Sequence, residues 1–69
     1  MTIEELYRTV AHDQQMQLLD KMERVEWNGE AEDIPIRYMH CWVMQIYPAT
    51  VVQHPEQAII VATMDYINR

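Results

Sequence analysis

The sequence predicts a small α+β domain, an antiparallel sheet with one or two helices in the order α-β-β-α-β-β. Three observations predict this fold class. A helix-capping motif opens the chain, a polar link with a proline lies in its middle, and two apolar runs rich in aromatic and β-branched residues follow. The 69 residues form a single domain, residues 1–69, with a thin core, because a chain of this size buries only about 60% of its unfolded surface.

The first predicted element is a helix over residues 2–11. Thr2 and Glu5 form a T-x-x-E capping box, in which each residue satisfies a free backbone N–H of the first turn. Apolar residues then follow at helical spacing: Ile3, Leu6, Tyr7 and Val10. This segment is the most strongly patterned helix in the chain.

Residues 14–27 fit two structures. As strands near 14–20 and 23–28 they form a hairpin with a turn at Asp20-Lys21, and Met16 and Leu18 share one face. As a helix they are capped by Asp13 and place an apolar residue at every third position. Helix propensity favours the second structure, because Gln, Met, Leu, Lys, Glu and Arg are good helix formers. The residue pattern alone leaves both open.

The second half predicts a short helix and two strands. The helix spans 33–39, with Asp33 as its cap and Pro35 in its first turn. A strand over 41–47 is apolar on both faces, which predicts a central or covered position, and Pro48 ends it. The last strand spans 57–64 and contains the β-branched run of residues 58–62.

The formal net charge of −6 lies entirely in residues 1–33. That segment holds nine Asp and Glu residues against three Lys and Arg, whereas residues 34–69 hold two of each. Direct binding to nucleic acid is disfavoured, since that affinity comes largely from Lys and Arg. The acidic half either solubilises the chain or meets a basic protein partner. For the second case we expect Glu30, Glu32 and Asp33 to form the partner-binding site.

The sequence contains no enzyme, cofactor or metal signature. It has no serine, and its one glycine excludes a Gly-rich phosphate loop. The three histidines and the one cysteine lack metal-ligand spacing, and His40 and Cys41 point to opposite faces of an extended chain. Glu30, Glu32 and Asp33 lack the Ca²⁺-loop pattern. We therefore predict a protein that is not an enzyme and holds no cofactor or metal.

Two apolar strands and few helices predict self-association. With 49% hydrophobic residues, the chain has more apolar surface than its helices can cover. We expect a homo-oligomer whose interface includes Trp42, Tyr47 and Ile59, because Trp and Tyr are enriched at interfaces. The lone cysteine, the acidic first residues and the lack of about 18 consecutive apolar residues predict a cytoplasmic protein that does not enter membranes.

Short motifs give the chain a resemblance to known proteins. They are the opening residues 2–7 (TIEELY), the middle residues 29–35 (GEAEDIP), an aromatic strand ending in Ile46-Tyr47 and the β-branched last strand. In these features the chain resembles small uncharacterised accessory proteins of phages and mobile elements of Gram-positive bacteria. The resemblance implies the layout α-β-β-α-β-β, which favours the hairpin in residues 14–27. It implies no activity and no site residue.

The leading hypothesis is a small non-enzymatic binding protein that occupies a partner's surface. For a protein of a mobile element we expect regulation of, or interference with, a bacterial host system. An anti-CRISPR-like or other anti-defence inhibitor, whose acidic half competes for a nucleic-acid channel, is one such role. One alternative is an oligomeric sponge that closes an aromatic-lined pocket around a nucleotide-like signal. Another is a minor structural or assembly protein of the mobile element.

Overall fold

A sheet dominates the fold. The structure is a computed structural model that describes residues 1–51 and 54–65, with the side chains of 1–50 and 58–65. Its elements, in chain order, are helix α1 (Ile3–Tyr7), strands β1 (Gln15–Leu19) and β2 (Val25–Glu30), two 3₁₀ turns (Ala31–Asp33 and Ile36–Tyr38), and strands β3 (Trp42–Val51) and β4 (His54–Asp65). The expected small α+β domain is confirmed. None of the helices in the described ranges is long and apolar enough to cross a membrane.

The four strands form one mixed sheet in the order β2-β1-β4-β3. The β1–β2 and β3–β4 pairs are antiparallel, whereas β1 and β4 run parallel in the centre. The prediction of an antiparallel sheet is therefore wrong for the central pair. β4 is buried from Val61 to Met64, and an apolar strand of this kind suits a central position with a neighbour on each side.

Helix α1 begins as predicted and ends early. The Thr2 hydroxyl accepts a hydrogen bond from the Glu5 N–H at 3.3 Å, and the Thr2 N–H donates to Glu5 Oε1 at 2.8 Å. The helix stops at Tyr7 rather than near residue 11. Both the N–H and the hydroxyl of Thr9 donate to the Leu6 carbonyl, which tightens the last turn and competes with continued helix.

Residues 14–27 belong to the hairpin, not to a helix. Asp20, which is 8% exposed, holds the turn. Its Oδ1 accepts hydrogen bonds from the N–H groups of Met22 at 2.8 Å and Arg24 at 2.9 Å, and Glu23 takes a positive φ of 64°. Pairing of β1 with both β2 and β4 outweighs the helix propensity of these residues.

The predicted helix over 33–39 is replaced by two 3₁₀ turns. Ile34 stands between them with an extended ψ of 122°, because the proline that follows disfavours helical geometry at the preceding residue. Pro35, rather than Asp33, occupies the position before the second turn, and no side chain caps either turn. The expectation that Asp33 caps a helix is therefore wrong.

β3 is an edge strand, not a central one, and it continues to Val51. Pro48 does not end it but pairs with Ile60 of β4. A proline is tolerated in an edge strand when its missing N–H would face away from the neighbouring strand. At its first residues β3 is flanked by the chain start, since the Val43 N–H donates to the Met1 carbonyl at 2.8 Å.

The core lies on one face of the sheet, against α1 and the 3₁₀ turns. One cluster of buried side chains joins these layers: Ile3, Leu6, Met16, Leu18, Ala31, Ile34, Tyr38, Cys41, Val43, Ala62 and Met64. The opposite face, here called the outer face, carries no helix or 3₁₀ turn among the described residues. Both candidate surfaces described below follow from this one-sided arrangement.

Candidate functional site

The predicted partner-binding residues come together in a cluster of carboxylates, here called the acidic cluster. Glu30 is the last residue of β2, and Glu32 and Asp33 lie in the 3₁₀ turn that follows. One carboxylate oxygen from each residue lies within 4.8 Å of the others. Glu32 and Asp33 are exposed and Glu30 is half-buried. Three negative charges are thus concentrated at one corner of the molecule.

Buried neighbours hold the acidic cluster in place. Ala31 is fully buried and Ile34 is 5% exposed, so both ends of the turn are anchored in the core. The Ala31 N–H donates to the Gln14 carbonyl at 2.9 Å, and the Glu32 N–H donates to the His12 carbonyl at 3.0 Å. These contacts fix the backbone and leave the intervening carboxylates directed away from the core.

Among the described side chains, no basic group pairs with the acidic cluster. Arg8 lies 3.4 Å from Glu4, and Arg24 lies 3.0 Å from Asp20. Arg37 stands over the Tyr38 ring at 4.7 Å and donates to its hydroxyl. The cluster is therefore open to an external cation. The three carboxylates together contain six oxygens, the lower end of the six to eight that Ca²⁺ takes.

The predicted interface residues Trp42, Tyr47 and Ile59 all lie on the outer face, on strands β3 and β4. The strand register defines two rows of paired residues across that face. One row is Asn28, Gln17, Val61 and Tyr47, and the other is Val25, Leu19, Thr63 and Gln45. No member of either row is charged. Leu19 and Val61 are buried, yet neither belongs to the core cluster.

A bulge in β3 brings Trp42 onto the same face as Tyr47. Trp42 pairs with Asp65 and Tyr47 with Val61, four positions apart along β4, although the two aromatic residues are five apart along β3. Met44 is the extra residue. Strict alternation along a strand over 41–47 predicts that Trp42, Met44 and Ile46 share one face, and the bulge makes that prediction wrong. Trp42 is 47% exposed and Tyr47 is 39% exposed, and Ile59 is half-buried.

Among the described side chains, Cys41 forms no reactive pair with a histidine. Cys41 is fully buried in the core, and burial raises the pKa of its thiol, helped by the nearby carboxylates of Glu26 and Asp65. A raised pKa lowers the thiolate fraction that nucleophilic attack requires. His40 is exposed, and His12 stacks against Tyr7 with ring centroids 6.5 Å apart. The side chain of His54 lies outside the described residues.

Two shallow grooves flank the β1–β2 turn, and sequence reasoning missed them. One of 440 Å³ lies between Lys21–Glu23 and Met44-Gln45, and one of 410 Å³ lies on the other side of the turn, beside Glu26 and Met64. Both are open and lined by charged as well as apolar groups. They lack the aromatic lining that a ligand sponge calls for, and that hypothesis stays a prediction. The only sequence signal for them was the turn at Asp20.

Comparisons with protein-family models, curated proteins and solved structures found no match to this chain. The assignment of a function therefore depends on the two surfaces described above.

Proposed function

We propose that this chain is a small non-enzymatic binding protein that occupies the surface of a basic protein partner. One observation carries the proposal: the carboxylates of Glu30, Glu32 and Asp33 converge within 4.8 Å, and no described basic side chain neutralises them. Their backbone is anchored on both sides by buried residues, so the backbone that bears the charges needs little ordering when a partner binds.

Electrostatics favours a protein partner rich in Lys or Arg. An acidic patch accelerates encounter with such a partner, and charge-assisted hydrogen bonds to guanidinium or ammonium groups then hold it. Both effects weaken as salt rises, because the Debye length falls from about 10 Å at 0.1 M to about 3 Å at 1 M. Nucleic acid itself, being an anion, is not the expected ligand.

The biological role that we propose is interference with a host system by a mobile element, in the cytoplasm. Its support is the resemblance of the short motifs in residues 2–7 and 29–35 together with the separation of charge on the fold. A partner whose basic channel normally holds nucleic acid fits both the resemblance and the acidic charge. An anti-CRISPR-like inhibitor would occupy such a channel and exclude the polynucleotide by competition.

The experiment is capture of a partner from extracts of Gram-positive cells with the tagged chain. The informative variant carries Glu30→Gln, Glu32→Gln and Asp33→Asn, which remove three charges and conserve side-chain size. The matched control carries Glu4→Gln, Asp13→Asn and Glu23→Gln, which remove three charges elsewhere. We expect the control to retain the partner and the cluster variant to lose it. Equal capture by both would show that total charge, not this cluster, is responsible.

A further inference from the structure

The outer edge of β3 is paired only at its beginning. β3 has β4 on one side, and on the other side the chain start forms a single antiparallel bridge between Thr2 and Trp42. Next to this bridge the Val43 N–H donates to the Met1 carbonyl at 2.8 Å. Beyond Val43, none of the described residues pairs with this edge. The stretch of β3 over residues 44–51 is here called the free edge.

The free edge exposes apolar side chains on both faces of the sheet. Ile46 pairs with the core residue Ala62 and is nevertheless 45% exposed. Tyr47 pairs with Val61 on the outer face and is also exposed, as is Met44 in the bulge. A partner stacked on one face would cover only part of this set. A strand added at the edge contacts both faces, because neighbouring strands lie only about 4.8 Å apart.

We propose that the free edge pairs, antiparallel and about a two-fold axis, with the free edge of a second copy of this chain. The two sheets then join into one sheet of eight strands. Residues 44–51 (MQIYPATV) contain no Asp, Glu, Lys or Arg, so a basic partner gains no charge contact here. A second copy supplies an edge that is already a strand, whereas a free peptide must lose backbone entropy to form one.

The backbone of the free edge has hydrogen-bonding groups to offer a second strand. Along an antiparallel strand, the N–H and C=O groups of successive residues point alternately to the two sides. The Val43 N–H points away from β4. Because Met44 is the extra residue of the bulge, the outward direction returns at Ile46, Pro48 and Thr50. Pro48 has no N–H, so Ile46 and Thr50 are the two outward residues that can both donate and accept.

A two-fold axis at Pro48 gives the most complete pairing within residues 44–51. It places Ile46 of each copy opposite Thr50 of the other, and these two pairs exchange four N–H···O=C hydrogen bonds. It also places Tyr47 opposite Ala49, so a large side chain faces a small one. Moving the axis by one residue puts Pro48 opposite Ile46 or Thr50 and halves the number of bonds. Pro48 keeps the ladder short, so we expect a weak dimer.

The strand order keeps the two acidic clusters apart in this dimer. β2, which ends in the acidic cluster, lies at the opposite edge of the sheet from β3. At about 4.8 Å per spacing, the β2 strands of the two copies lie seven spacings, or about 34 Å, apart. That distance exceeds the Debye length of about 10 Å at 0.1 M salt, so the two clusters repel each other little. Asp65 pairs with Trp42, at the end of β3 that the chain start covers.

The test combines the mass of the chain in solution with amide hydrogen exchange, both over a concentration series that reaches the millimolar range. Sedimentation should show a monomer–dimer equilibrium. Exchange of the Ile46 and Thr50 N–H groups should slow as the dimer forms, because these groups face solvent in the monomer and a carbonyl in the dimer. Exchange rates in β2, at the opposite edge of the sheet, should stay constant and serve as the control.

The informative variant is Thr50→Pro, and Thr50→Val is its matched control. The Thr50 N–H points away from β4, so its removal leaves the β3–β4 ladder intact, and Ala49 already has the extended backbone that a following proline favours. The proline removes two of the four hydrogen bonds between the copies. We expect it to weaken the dimer about tenfold or more, whereas Thr50→Val, which retains the N–H, should leave the dimer as in the parent.

Three outcomes would overturn the proposal. A parent chain that stays monomeric at millimolar concentration would leave the free edge to a strand of another protein. A dimer that forms without slower exchange at Ile46 and Thr50 would use a different surface. A dimer that is as stable in a folded Thr50→Pro variant as in the parent would contradict edge pairing. Where Thr50→Pro does not fold, the exchange rates of the parent chain decide.

Discussion

The indole ring of Trp27 covers Gly29, two residues further along β2 on the core face of the sheet. A Cβ atom at residue 29 would lie 2.7 Å from Cζ2 and 2.9 Å from Cη2 of Trp27. Only glycine leaves room for the ring in this position. The ring in turn packs against the edge of the core cluster, so this contact helps to hold β2, the strand that ends in the acidic cluster.

Gly29→Ala should lower the free energy of unfolding by about 1–3 kcal/mol, the usual cost of overpacking. The reason is that either the indole ring or the strand must shift to admit the methyl group. Chemical denaturation of the variant measures the loss. Trp27→Leu removes the ring. In a Trp27→Leu background, Gly29→Ala should therefore lower the free energy of unfolding by less than it does in the parent chain. Equal costs in both backgrounds would show that the contact is not the cause.

Acid should destabilise the fold through Asp20 and Glu5. A hydrogen bond from the backbone N–H of Arg24 lowers the pKa of Asp20 from its usual value, and hydrogen bonds with Thr2 lower the pKa of Glu5 in the same way. A carboxyl whose pKa is lower in the folded state stabilises the fold above its unfolded pKa, and loses that contribution as pH falls through the folded pKa. Unfolding free energy should therefore be level above about pH 5 and fall below about pH 4.

The variants Asp20→Asn and Glu5→Gln identify the source of this pH dependence. Each should flatten the acid limb of the stability curve, measured by urea unfolding at a series of pH values. The exposed Asp13→Asn serves as the control and should leave the limb as in the parent. If the two informative variants follow the parent curve down to low pH, other carboxyls cause the loss of unfolding free energy in acid.

Cys41→Ala should leave partner binding intact and cost stability only. Removal of one buried sulfur atom from the core should lower the free energy of unfolding by about 1 kcal/mol. The parent thiol should react slowly with a disulfide reagent in the native state and rapidly in urea, because burial both shields it and raises its pKa. Loss of partner binding in a folded Cys41→Ala variant would show that the thiol takes part in binding.

Local interactions were readable from the sequence, and distant ones were not. The capping box joins Thr2 and Glu5 across three positions, and Glu30, Glu32 and Asp33 converge because they are close in the chain. The choice between hairpin and helix in residues 14–27 depended on β4, which lies more than 40 residues further on. Local propensity contains no information about that pairing.

Strand position and register were the other failures. The apolar faces of residues 41–47 suit either a central strand or an edge strand that pairs with another chain, and the sequence cannot separate these two cases. The bulge at Met44 places every later residue of β3 on the face opposite to the one that strict alternation predicts. No residue type in this segment indicates a bulge. The predicted set Trp42, Tyr47 and Ile59 nevertheless lies on one face of the sheet.

The central claim is that the acidic cluster carries the contact with a basic partner. Its most direct test is the dissociation constant of the captured partner for a variant with Glu30, Glu32 and Asp33 replaced by lysine. Asp33 caps no helix, so the variant should stay folded, and circular dichroism checks this first.

The control variant replaces Glu4, Asp13 and Glu23 by lysine, and both variants are measured at low and high salt. We predict that the cluster variant loses binding at low salt while the control binds measurably, and that the two converge as salt rises and charges are screened. A folded cluster variant that binds the partner as tightly as the parent at low salt would contradict the account.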